Sequence, residues 1–159
     1  MKQIFQSKNI SFVEVSEDLV EDYLTMVNDV EKVAKLIGRT ELVSEEKERR
    51  WVRKKLEEKA EIYSMIEKKT GEFIGNIEFM DSDGTEAELG VAITAAKQDK
   101  GFGTEAVHAA AEYAMEKLRL RRVRLKVFPD NARAIRVYEK CGFREYGRTE
   151  RDVFMELVR

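Results

Sequence analysis

The apolar positions of this chain change their period twice. They recur at helical spacing over roughly residues 16–56, alternate from 62 to 93, and beyond 101 switch between the two patterns. Ser11-Phe12-Val13-Glu14-Val15 alternates and predicts a short first strand. Ser16 is placed to cap a helix with Glu17 and Asp18 in its first turn and Leu19, Tyr23, Met26 and Val30 on its buried face. A second helical piece over 33–37 stops at Gly38. Ser44-Glu45-Glu46-Lys47 opens a third, running through Trp51, Val52, Lys55 and Leu56 with Trp51 as its anchor.

Residues 62–67, 73–80 and 85–93 read as three strands joined by hairpins. Lys69-Thr70-Gly71-Glu72 supplies the first turn. A three-residue loop Ser82-Asp83-Gly84, with Gly84 left-handed, would pair Asp81 with Thr85. That register sets Glu78 opposite Glu88 and Asn76 opposite Gly90, with Phe79 turned toward the core. In the second half, Val107, Ala110, Ala111, Ala114 and Leu118 form the stripe of a helix reaching about residue 118. Val123, Leu125 and Val127 mark a fifth strand, 131–138 a helix ending at Gly142, and 143–147 and 153–158 two closing strands. The order predicts a mixed α/β fold in one domain over 1–159.

Composition narrows the function classes. A net charge of −2 argues against a nucleic-acid binder that works by charge neutralisation. No apolar run has the length of a membrane span, and Met1-Lys2-Gln3-Ile4-Phe5 lacks a signal core, so no membrane association is expected. The single cysteine, Cys141, excludes an intrachain disulfide, gives no metal cluster and fits a cytoplasmic protein.

The chemistry concentrates at Gln98-Asp99-Lys100-Gly101-Phe102-Gly103-Thr104, where a strand passes into a helix. Two glycines there leave backbone N–H groups open at a helix N-terminus, which favours an anion such as a pyrophosphate. A Rossmann fingerprint would put Ala106 at its third glycine position, but the preceding hairpins are antiparallel, where that fold needs parallel crossovers.

Farther on stands Asn131-Ala132-x-Ala134-Ile135-x-x-Tyr138-x-x-x-Gly142-Phe143. With Gln98-x-x-Gly101-x-Gly103 before it, separated by a helix and a strand, the chain resembles the GNAT superfamily of N-acetyltransferases. It looks most like the branch of ribosomal-protein N-alpha-acetyltransferases and their relatives. The resemblance implies a strongly bent mixed sheet of about seven strands flanked by helices, with acetyl-CoA lodged where two parallel strands splay apart. Val91 and Ile93 would offer the backbone edge to pantetheine. Gln98, Lys100, Gly101, Phe102, Gly103 and Thr104 would hold the pyrophosphate, with Lys97 adding charge. By resemblance Asn131 would hold the pantetheine, or cap its helix, and Tyr138 would face the sulfur as a general acid with a pKa near 10.

Attack on a thioester needs an uncharged amine, so a base is expected. Glu88 and Glu78, opposed across their hairpin, are the candidates, one raising the pKa of the other. Some relatives carry a glutamate five residues before the asparagine, and this chain has Lys126 there. The sole histidine, His108, and Cys141 are expected to be structural. The expected activity is acetyl transfer to a primary amine, a protein N-terminus or a small amine, without a metal; the competing class is a non-catalytic acetyl-CoA sensor. Monomer and homodimer both stay open.

Overall fold

The computed structural model describes residues 1–35 and 41–159. Eight strands form one sheet in the order β1-β2-β3-β4-β5-β6-β8-β7, one more than expected. The strands are β1 Gln3–Gln6, β2 Ile10–Glu14, β3 Glu61–Glu67, β4 Phe73–Met80, β5 Glu86–Ile93, β6 Arg122–Val127, β7 Arg144–Arg148 and β8 Val153–Val158. The helices are α1 Val20–Val27, α2 Glu45–Glu57, α3 Phe102–Glu116 and α4 Ala132–Lys140. The added strand is β1, which pairs antiparallel with β2 and stacks Phe5 on Phe12 at 4.2 Å between ring centroids. Among the described residues no helix is long and apolar enough to cross a membrane.

Two compact units divide the chain. One is 1–78 with 91–102, and the other is 79–90 with 103–159. In the first, Ser16 Oγ accepts from the Asp18 N–H, as its position predicts, and starts a short 3-10 turn that runs into α1. Ser44 likewise accepts from the Lys47 N–H at 3.2 Å and caps α2. Their apolar faces meet in a core of Val15, Val20, Tyr23, Met26, Val52, Ile62 and Phe73. Tyr23 meets Trp51 edge-on at 5.9 Å, so Trp51 is an anchor, though a half-buried one. The helical piece expected over 33–37 is instead a π-helical turn, Val30–Ala34, closed by Asp29. Its expected end, Leu36 to Gly38, lies outside the described residues.

In the second unit α3 buries Ala106, Val107, Ala110 and Ala114 completely, as a close-packed small-residue stripe should. β5 and β6 run parallel through Glu86–Arg122, Ala87–Val123 and Glu88–Arg124; the ladder stops there while β5 continues to Ile93. β6 then pairs antiparallel with β8 along its whole length.

The hairpin between β4 and β5 differs from expectation. Gly84 is left-handed at φ 86°, but Asp81 also has positive φ, 50°, and β4 ends at Met80 while β5 starts at Glu86. The turn is closed by Asp83, whose carboxylate accepts from the N–H groups of Thr85 and Glu86 at 2.8 Å each. The Asp81–Thr85 pair that would have carried Glu78 opposite Glu88 is therefore not part of the strands.

Candidate active site

The glycine loop follows a 3-10 turn, Ala95–Lys97, at the end of β5. Gly101 has φ +87°, a conformation that disfavours any side chain. A Cβ on either Gly101 or Gly103 would meet nothing within 4 Å, so the backbone there faces open space. The first N–H groups of α3 lack acceptors within the helix and carry its positive dipole end. An open, N–H-rich turn fits a pyrophosphate. Lys100 is exposed beside it.

Two neighbours of the loop do other work. Lys97 Nζ lies 2.8 Å from Glu67 and 2.9 Å from Glu72, with its side chain only 14% exposed. The hydrogen bond to Glu67, then that to Glu72, holds its pKa above the ordinary value. It is thus committed to two carboxylates rather than to a phosphate, a correction to its expected role. Gln98 Nε2 donates to the carbonyls of Lys32 at 2.8 Å and Ile93 at 3.0 Å, so both amide hydrogens go to backbone. The residue fastens the end of β5 to the π-helical turn.

On the first unit's side of β4, Glu78 Oε2 pairs with Lys55 Nζ of α2 at 3.4 Å. Lys55 also lies over the Trp51 ring, 6.0 Å from its centroid. The carboxylate expected to face Glu88 therefore has a lysine for a partner.

In the second unit Glu88 lies half-exposed on β5 between buried Ala87 and Leu89, next to Arg124 in the parallel ladder. Arg124 Nη1 is buried without a hydrogen bond, 3.8 Å from Glu86 Oε1. Arg122 bridges Glu86 and Glu156 and stacks on Tyr146 at 4.8 Å. Lys126, standing where some relatives place a base, is exposed opposite Phe154.

α4 carries the remaining candidates. Asn131 Oδ1 accepts from the Ala134 N–H at 3.3 Å, so the residue caps the helix, and its amide hydrogens stay free of partners among the described residues. Tyr138 is 8% exposed, its ring tilted against Phe143 at 5.9 Å. The helix ends where Gly142 takes φ 94° and the Phe143 N–H returns to the Tyr138 carbonyl, which sets that ring pair. Burial, with a smaller effect of Cys141, pushes the Tyr138 phenol up to about 12, above the value near 10 expected of a general acid. Cys141 is half-buried with Sγ against the Thr104 carbonyl, and burial raises its pKa. His108 is exposed beside Glu112. Sequence reasoning missed one group altogether, the buried hydrogen-bond chain from Tyr23 through Ser64 to Asn76. Its one local signal is a serine inside the apolar run Ile62-Tyr63-Ser64-Met65.

Comparison with known proteins gives this arrangement a lineage. "Uncharacterized N-acetyltransferase p20" of Bacillus licheniformis is 34% identical over 94 residues, 58% of this chain and 53% of that protein. The spermidine N(1)-acetyltransferase of Vibrio cholerae is 29% identical over 104 residues, 64% of this chain and 60% of that one. The chain thus spans little more than half the length of these relatives. The solved structure of spermidine N-acetyltransferase from Vibrio cholerae, in complex with CoA and spermine, superposes with a TM-score of 0.86 at 19% identity, covering 96% of each chain. The likeness shows a shared fold. Residues 9–144 match the acetyltransferase (GNAT) domain, and the chain belongs to that family.

Proposed function

We propose that this chain, as one domain over 1–159, is an acetyl-CoA-dependent N-acetyltransferase that passes acetyl to a primary amine by direct attack on the thioester. The observation that carries the reading is the open glycine loop at the start of α3, in a chain of the GNAT family. Pyrophosphate oxygens accept from the N–H groups of residues 100–104, where Gly101, Phe102, Gly103 and Thr104 expose backbone. Pantetheine amides pair with the edge of β5 at Val91 and Ile93, beyond the end of the β5–β6 ladder at Glu88. Asn131, whose amide hydrogens are free among the described residues, is assigned to pantetheine by the family resemblance alone.

The amine nitrogen bonds to the acetyl carbon, the C–S bond breaks, and the sulfur leaves as thiolate. Tyr138 donates a hydrogen bond to that sulfur as charge develops there. Of the two candidate bases, Glu88 is favoured for taking the ammonium proton, since Glu78 is engaged by Lys55. The resemblance to ribosomal-protein N-alpha-acetyltransferases and the likeness to a spermidine acetyltransferase point to different acceptors.

The test is release of free thiol from acetyl-CoA on addition of peptide N-termini, polyamines or amino acids. Turnover of at least one class is expected. Saturable acetyl-CoA binding with no turnover of any amine would refute an enzyme and indicate a sensor.

A further inference from the structure

The buried polar atoms of the first unit form a directed chain. The Ser16 N–H donates to Tyr23 Oη at 3.1 Å. Tyr23 Oη and Ser64 Oγ lie 2.6 Å apart, and Ser64 Oγ lies 2.8 Å from Asn76 Oδ1. Tyr23 and Ser64 are both wholly buried. A backbone N–H can only donate, and each hydroxyl has one hydrogen. Asn76 Oδ1 can only accept, so Ser64 gives its hydrogen to Asn76, and Tyr23, which accepts from Ser16, gives its own to Ser64. Asn76 turns its oxygen inward, as the end acceptor of the chain. Its NH2 group, two donors without a partner among the described residues, faces away from the network.

That NH2 stands in an informative place. Gly75 brings β4 so near β5 that a Cβ there would lie 2.0 Å from the Ala92 carbonyl oxygen. Asn76 is thus beside the 91–93 segment, the edge proposed for pantetheine. Two residues on, Glu78 is held by Lys55 at 3.4 Å. The Glu78 charge is thus met by Lys55, and Asn76 adds a pair of neutral donors.

We propose that Asn76 is a specificity-determining residue whose NH2 group donates to a carbonyl oxygen adjoining the acceptor amine, as in a peptide N-terminus. The inference rests on the acetyltransferase reading and narrows its acceptor. At neutral pH a polyamine offers N–H donors almost exclusively, which an NH2 group cannot satisfy. Glu78, the carboxylate two residues along β4, already has a lysine for a partner. This separates the chain from the acceptor named for its spermidine-acetylating relative.

The experiment compares kcat/KM for three acceptors: a short peptide amide, an alkylamine of similar length without a carbonyl, and spermidine. Wild-type protein should prefer the peptide over both by at least about tenfold, the worth of a well-placed hydrogen bond. Asn76→Asp keeps an oxygen for Ser64 but turns the donors into an anion, and should lower peptide kcat/KM by more than about tenfold, chiefly through KM. Asn76→Ser removes the donors without adding charge, and should lower it about tenfold should the aspartate variant fail to fold. In both variants the affinity for acetyl-CoA should remain within about twofold, and the loss on the alkylamine should be far smaller than the loss on the peptide. Preference of the wild type for spermidine, or peptide kcat/KM unchanged in a folded variant, overturns the role of Asn76. Thiol release from no acceptor refutes the acetyltransferase reading itself, and this inference with it.

Discussion

Tyr138→Phe removes one oxygen and leaves the ring against Phe143, so it isolates the hydroxyl. Burial has pushed that phenol up to about 12. A departing thiol has an ordinary value near 8.5, so handing it a whole proton is uphill by about 5 kcal/mol. Keeping the proton and donating a hydrogen bond to the developing thiolate stabilises it by about 1.5–3 kcal/mol. The second effect wins, and the variant should lose about 10- to 150-fold in kcat rather than the roughly 10⁴-fold upper range of full general-acid catalysis. Thiol release at saturating acetyl-CoA measures it, with donor affinity checked by calorimetry and expected to hold. The pH dependence has a definite sign. With the folded value raised above the ordinary 10, the tyrosine's contribution to stability is intact below pH 10 and is lost as pH climbs toward 12. Tyr138→Phe should remove that alkaline loss. A kcat change under about threefold would refute the role assigned to the hydroxyl. So would a 10⁴-fold loss with a wild-type alkaline limb centred well below pH 11 that vanishes in the variant.

Gly75→Ala drives a Cβ to 2.0 Å from the Ala92 oxygen and 3.0 Å from the Ile93 Cα, all of them backbone contacts. It should cost about 3 kcal/mol or more in urea unfolding, and a loss below about 1 kcal/mol would contradict the close approach of β4 and β5. Lys97 holds Glu67 and Glu72 below the usual carboxylate range through its hydrogen bonds. Wild type should therefore lose stability as pH falls below 4.5 through the lowered values, and Lys97→Met should flatten that acid dependence in thermal melts. For the base, Glu88→Gln should lower kcat/KM about 10²-fold, whereas Glu78→Gln, whose carboxylate is engaged by Lys55, should change it by less than about threefold. The reverse pattern would reassign the proton acceptor to Glu78.

What the sequence disclosed and what it hid divide along a physical line. Strands 73–80 and 153–158 were legible to the residue because alternating burial writes itself as alternating polarity. The caps Ser16, Ser44 and Asn131 were legible because a cap bonds to backbone two or three residues away. Gly101 and Gly103 announced the loop because its conformation restricts residue type. β1 escaped because Gln3-Ile4-Phe5-Gln6 is too short and too polar at its ends to alternate. The roles of Lys97 and Gln98 escaped because each has a partner far off in sequence, Glu72 at 25 positions for Lys97 and Lys32 at 66 for Gln98. The opposition of Glu78 and Glu88 rested on one assumed turn, and that turn holds a second left-handed residue, Asp81, that the sequence did not announce.

The fastening made by Gln98 reaches beyond the loop it opens. One NH2 group satisfies two carbonyls, those of Lys32 and Ile93, from segments far apart in sequence. If either segment moves, an oxygen loses its donor, so the π-helical turn and the end of β5 share an energetic fate. They form one cooperative unit, and hydrogen exchange at Ala34 and Thr94 should report a common opening rate. A residue that reads as part of a phosphate signature is also a rivet, and its replacement would loosen the molecule in two places at once.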